Sequence, residues 1–74
     1  MIVYGSKQCP DTMAYLESLE KDGTPFEFRD LADLAMLKEF LHYRDTSPLY
    51  DAVRARGGVG IPLIVADDGT LSLG

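Results

Sequence analysis

The stretch Val3-Tyr4-Gly5-Ser6-Lys7-Gln8-Cys9-Pro10-Asp11-Thr12 carries the chain from a strand, through a turn, into a helix. Met1-Ile2-Val3-Tyr4 is a continuous apolar run stopped by Gly5, the pattern of a central strand buried on both faces. Pro10 stands where a helix's first residue belongs, a position whose N–H has no intrahelical partner in any case. A strand that passes into a helix commits the next parallel strand to a crossover, and such crossovers are right-handed. The same stretch sets the only cysteine, Cys9, where the helix begins. A thiol there faces unpaired backbone N–H groups and the positive end of the helix dipole, and both favour thiolate over thiol. Lys7 adds a cation close in sequence. Asp11 opposes the thiolate electrostatically, although a carboxylate is itself favourable at a helix start. The plainer reading makes Cys9 a small packing residue. Cys-Pro at a helix start suits a reactive thiol better.

The helix expected from about Pro10 to Asp22 buries Met13, Leu16 and Leu19 and turns Glu17, Glu20 and Lys21 to water. Gly23 ends it. Phe26-Glu27-Phe28-Arg29 alternates as a half-buried strand, with Pro25 at its entry. Asp30 is the expected N-cap of a second helix, with Asp33 in its first turn. Leu31, Leu34, Leu37 and Leu41 mark that helix's buried stripe, Phe40 widens it, and it ends near Tyr43 or Arg44. His42 flanks the stripe as a half-exposed helix residue. Ser47-Pro48 opens a short third helix through Leu49, Tyr50 and Val53, which stops at Gly57-Gly58. Ile61–Ala66 is a strand, Asp67-Asp68-Gly69-Thr70 a turn, and Leu71-Ser72-Leu73 the returning strand. The expected fold class is α/β: one domain, residues 1–74, with a mixed four-stranded sheet flanked by helices.

A chain of 74 residues buries only about 60% of its unfolded surface, so good packing matters. One cysteine allows no internal disulfide, and one histidine leaves no Cys/His set for a structural zinc. The net charge of −5 argues against a nucleic-acid partner. No apolar run is long enough to span a bilayer. The expected location is the cytoplasm, where the thiol stays reduced.

Pro62 enters a predicted strand after Gly57-Gly58-Val59-Gly60. A trans proline at a strand entry is the ordinary reading. A cis Ile61–Pro62 bond is the alternative, because X-Pro is the one common site for it.

Cys9-Pro10-Asp11-Thr12 opening a helix, the Tyr4-Gly5-Ser6 approach to it, and Gly60-Ile61-Pro62 before a hairpin together resemble the glutaredoxin branch of the thioredoxin fold. The resemblance covers residues 2–70. The middle section, Arg44-Asp45-Thr46 with Pro48 and a short helix, resembles a small bacterial group of glutaredoxin-related proteins. It implies a thioredoxin-like (glutaredoxin) fold and a thiol–disulfide oxidoreductase acting on glutathione mixed disulfides. Cys9 would be the attacking thiol and Pro62 would be cis. The backbone of Ile61 would pair with glutathione, and Lys7 and an arginine would receive its carboxylates. Pro10, beside the thiol, belongs to the same implied glutathione site.

The chain departs from the family in two places. Thr12 stands where a second cysteine is common, so the implied route is monothiol, with the Thr12 hydroxyl donating to the Cys9 sulfur. The chain reaches Gly74 where the family's Gly-Gly pair and final helix begin. The expected fold lacks that helix, and the γ-glutamyl end of glutathione either falls to the Asp67–Thr70 turn, Asp68 in particular, or is poorly held. An uncovered part of one sheet face would then favour self-association as a homodimer, or a looser fold. Glutathione enters as co-substrate rather than as a resident cofactor, and its glutathionylated or disulfide-containing protein partners are the implied substrates, with no membrane or nucleic-acid partner. Two other functions fit the same residues. One is a redox-silent binding module. The other is an iron–sulfur carrier with one Cys9 from each of two subunits, against which Cys-Pro-Asp-Thr departs from the Cys-Gly-Phe-Ser of cluster-binding glutaredoxins.

Overall fold

The structure is a computed structural model and describes every residue from Met1 to Gly74. Strand β1 (Ile2–Gly5) leads to helix α1 (Pro10–Asp22) and strand β2 (Glu27–Asp30). Helix α2 (Leu34–Thr46) follows, then a 3-10 turn (Pro48–Tyr50) that runs into the short helix α3 (Asp51–Ala55). Strands β3 (Leu63–Val65) and β4 (Leu71–Leu73) close the chain. The sheet order is β2-β1-β3-β4, with β1 and β2 parallel and the other pairs antiparallel. A mixed four-stranded sheet flanked by helices is therefore present.

Alternation along β1 divides the core. Val3 points to the α1 face, where it packs with Leu16, Leu19, Phe26 and Phe28. Tyr4 points to the other face, where it meets Phe40, Tyr50, Val53 and Leu63. The pairing Tyr4↔Leu63 and Val3↔Ile64 keeps each face apolar across the sheet. A one-residue slip would reverse every side chain, so this burial sets the register. Phe26 and Phe28 share the α1 face, while Arg29 turns to the α2 face. There it donates to the Tyr4 hydroxyl (2.9 Å) and to Glu39 (2.6 Å), and Tyr4 donates to Glu39 (2.8 Å). Burial, with help from Glu39, pushes the Tyr4 phenol up to about 12.

Several expectations are corrected. Asp33, not Asp30, caps α2, accepting from the Ala35 amide at 2.9 Å. Asp30 ends β2 instead, and the following Leu31 amide donates to Gly5. The buried stripe of α2 also differs from the expected one. Phe40 becomes its centre at 1% exposure, while Leu34 is 66% exposed and Leu41 lies at the surface. The helix also continues through Asp45 and Thr46, whose hydroxyl donates to the His42 carbonyl, and it stops before Pro48. The pyrrolidine ring and missing N–H enforce that stop. β3 begins at Leu63 rather than Ile61. On the α1 face of the sheet Val3 and Ile64 are buried, and Gly74 lies beside Pro62, Tyr15 and Ile64.

The loop from Arg56 to Pro62 is held by side chains behind it. The Tyr50 hydroxyl donates to the Gly60 carbonyl at 2.7 Å, and Arg44 donates to the Gly58 carbonyl at 2.6 Å. Arg44 is itself fixed through its carbonyl, which accepts from Arg54. Burial pushes the Tyr50 phenol up to about 12. Tyr50→Phe keeps the ring and removes one bond. It is expected to lower stability by about 1 kcal/mol, more if the Gly60 carbonyl finds no water, as read by denaturant unfolding.

Candidate functional site

Cys9 is the N-cap of α1, with extended backbone (φ −97°, ψ 118°). Its amide donates to the Ser6 carbonyl at 3.0 Å, and its own carbonyl accepts the Met13 amide at 3.1 Å. The turn and the helix's first bond thus fix the residue from both sides. Its thiol is partly exposed and unpaired with any other sulfur.

The pKa of this thiol is lowered. The largest cause is the backbone N–H of Thr12, one of the free donors of the helix's first turn. Partial burial works the other way. The Thr12 hydroxyl and the Asp11 amide add to the lowering, and the Asp11 charge opposes it. The competition around Asp11 is therefore settled by its neighbours: short-range donors outweigh a solvated carboxylate. Sγ accepts no capping hydrogen bond.

Thr12 is 0% exposed. Its Oγ1 accepts from the Ser6 amide at 3.5 Å, which leaves the hydroxyl proton free to point toward sulfur. The backbone of Gly5 lies directly beneath. A Cβ at residue 5 would sit 2.6 Å from Thr12 Cγ2 and 2.7 Å from Oγ1. Gly5, read in the sequence only as the end of a strand, is thus the residue that lets Thr12 reach its position.

A thiol with a lowered pKa stays ionised, and reactive, to lower pH than an ordinary one. The rate of Cys9 alkylation by iodoacetamide is expected to hold its plateau below the usual thiol range and to fall as pH drops through the lowered pKa. Thr12→Val removes the hydroxyl donor and moves that midpoint upward. The rate at neutral pH should fall severalfold, up to about tenfold, the scale of one hydrogen bond to a charged group. An unmoved midpoint would show the hydroxyl to be a bystander.

Pro62 stands at the same end of the sheet as Cys9, because Leu63 pairs with Tyr4 and β1 ends at Gly5. The Ile61–Pro62 peptide is cis. The Pro62 ring is buried, so it positions the chain before it rather than contacting a ligand directly. Ile61 is half-buried. Neither its N–H nor its C=O takes part in a backbone hydrogen bond. Pro10 is exposed at the first helical position beside the thiol.

Asp68 is not part of this constellation. β3 runs antiparallel to β1, so the turn after it lies at the far end of the sheet, where Asp67 pairs with the Met1 amino group. Asp68 holds its own turn by accepting the Thr70 amide at 2.9 Å, which lowers its carboxyl pKa. Lys7 lines a groove on the α1 side and makes no ion pair. Of the four arginines, Arg29, Arg44 and Arg54 are tied to Glu27 and Glu39, to Gly58 and Asp45, and to Asp51 and Ser47. Arg56, at the start of the loop that ends at Pro62, is exposed and pairs with nothing. No group of three or more His, Cys, Asp or Glu side chains could hold a metal ion. No helix is long and apolar enough to cross a membrane.

The chain is 32% identical over 73 residues to an uncharacterized protein of Haemophilus influenzae, a match covering 97% of this chain and 85% of that one. The chain belongs to the family of that protein. No family model matches the chain. No solved structure matches it.

Proposed function

We propose that this chain is a glutaredoxin-like thiol–disulfide oxidoreductase, with a thioredoxin-like fold, that works by a monothiol route on glutathione mixed disulfides in the cytoplasm. The observation that carries the reading is Cys9 at the N-cap of α1, its thiol pKa lowered by the Thr12 amide and hydroxyl. The unpaired peptide groups of Ile61, at the same end of the sheet, support it as a place for a substrate's backbone. Lys7 and Arg56 are the uncommitted cations nearest in sequence to Cys9 and Ile61, and they suit glutathione's carboxylates.

The chemistry runs in two exchanges. The Cys9 thiolate attacks the glutathionyl sulfur of a protein–glutathione disulfide. A Cys9–glutathione disulfide forms, the original S–S bond breaks, and the protein thiol leaves as thiolate and takes a proton from water. A second glutathione, as thiolate, then attacks the Cys9-bound sulfur, giving oxidised glutathione and restoring the Cys9 thiolate. The low pKa serves both halves: it supplies thiolate for the attack and makes Cys9 a good leaving group afterwards. The absence of a second cysteine closes the intramolecular disulfide route.

The deciding experiment is mass spectrometry after incubation with oxidised glutathione, then again after reduced glutathione. A single glutathionyl adduct on Cys9, formed and reversed rapidly near neutral pH, is expected. No adduct, or one formed only at alkaline pH, would overturn the reading in favour of a redox-silent binding module.

A further inference from the structure

Between α1 and the edge strand β2 lies a groove of about 520 Å³, and of the residues that line it the two exchanges engage only Lys7. Met13, Leu16, Glu17 and Glu20 line one wall, and their spacing of three, four and seven residues places them on one helical face. Phe26 and Phe28 form the other wall, and Lys7 closes the end toward Cys9. The floor is apolar: Leu16 is buried and both phenylalanines are half-buried. Met13 is 44% exposed, an adaptable side chain at the mouth. Glu17 and Glu20 are exposed, and neither joins any ion pair of the molecule.

We propose that this groove docks the polypeptide whose disulfide Cys9 opens, and that it selects an apolar side chain followed by Lys or Arg. The proposal rests on the oxidoreductase reading above. Charge complementarity favours this occupant. An apolar side chain suits the Leu16–Phe26–Phe28 floor, and a cation beyond it meets two unpaired carboxylates. A second copy of the chain, at net charge −5, would bring an acidic surface to an acidic rim. The helix rise sets the spacing: Met13 lies about 6 Å and Glu20 about 16 Å along the axis from Cys9. An extended substrate covers those distances with its apolar residue two to three positions, and its basic residue about five positions, from its cysteine.

The test uses glutathionylated peptides with Leu three and Arg five residues from the cysteine, on either side, against counterparts with Glu for Arg. Each rate is referred to that of glutathionyl-cysteine with the same protein variant. The better-placed Arg peptide should be turned over about fivefold faster than its Glu counterpart at low salt, a preference that shrinks at high salt. Glu17→Lys with Glu20→Lys, both at exposed positions, should reverse it. Equal rates for the two peptides, or a preference that survives the double variant, would overturn the proposal. So would a double variant that changed only the protein's self-association in sedimentation, because the occupant would then be a second copy. If glutathionyl-cysteine itself is not turned over, the oxidoreductase reading has failed. The groove is then judged by fluorescence anisotropy with the Ser-for-Cys peptides, where an Arg preference upholds it and none overturns it.

Discussion

Cys9→Ser is expected to abolish turnover of glutathionylated substrates, to the background rate of glutathione alone, while making the protein more stable. The two effects share one position. Cys9 caps α1 without an ideal hydrogen bond from its side chain. Serine is among the best N-cap residues because its oxygen is short and accepts the amide of the second or third helical residue. A gain of about 0.5–1 kcal/mol in denaturant unfolding is therefore expected at acid pH, where the thiol is protonated and its lowered pKa contributes nothing to stability. A nucleophile seated where a better cap is available trades stability for reactivity, as functional residues often do. The opposite signs matter for interpretation, since a variant that is inactive because it is misfolded cannot also be more stable. Retained activity in Cys9→Ser would remove Cys9 from the chemistry. Unchanged stability would show that the sulfur already caps the helix as well as an oxygen does, and lowered stability that it caps it better.

Gly60→Ala is expected to cost about 3 kcal/mol, a large share of what a domain of this size has to lose. Two independent terms add. Gly60 has φ +77°, where a residue with a Cβ is strained by about 1–2 kcal/mol. The added Cβ would also lie 2.4 Å from Tyr50 Cε1 and 3.0 Å from Val53 Cγ1. Tyr50 is fully buried against Phe40, with ring centroids 6.0 Å apart, and cannot swing away. Overpacking of this kind typically adds about 1–3 kcal/mol. Because Gly60 leads into Ile61 and Pro62, the loop at the thiol's end of the sheet should be displaced before the whole fold is lost. Loss of glutathione turnover at denaturant concentrations where circular dichroism is still native is the expected signature. An alanine variant of wild-type stability would mean that Tyr50 does not hold the loop in solution.

Much of the architecture was legible in the chain's local pattern. The apolar run before Gly5, Pro10 after Cys9, Gly23 after α1, and Asp-Gly between the last two apolar runs each act over a few residues, and each falls where an element begins or ends. The Phe26/Phe28 alternation likewise put both rings on one face, and the structure shows that face to be the α1 side. The errors came where two local signals competed. Asp30 and Asp33 are both good caps, and the choice between them was made by the Leu31 amide reaching Gly5, a contact across the sheet. With Asp33 as the cap, Leu34 is the first helical residue and is exposed, while Phe40 is buried in the core. Asp68 was misplaced for a related reason: adjacency to a predicted hairpin says nothing about which end of the sheet the hairpin faces.

The sequence by itself determined the class of element at nearly every position and placed a single thiol at a helix start, because caps, prolines and glycines work through bonds to near neighbours. Only the tertiary structure decided what surrounds that thiol. It brought the Gly5 backbone under Thr12, so that a buried hydroxyl meets Cys9. It hung the Gly60 carbonyl on Tyr50, ten residues back, and sent Asp68 to the far end of the sheet. These relations depend on how β1 and β3 pair and how helices pack on their two faces, and burial summed over the whole core sets that arrangement, which no short stretch of chain can encode.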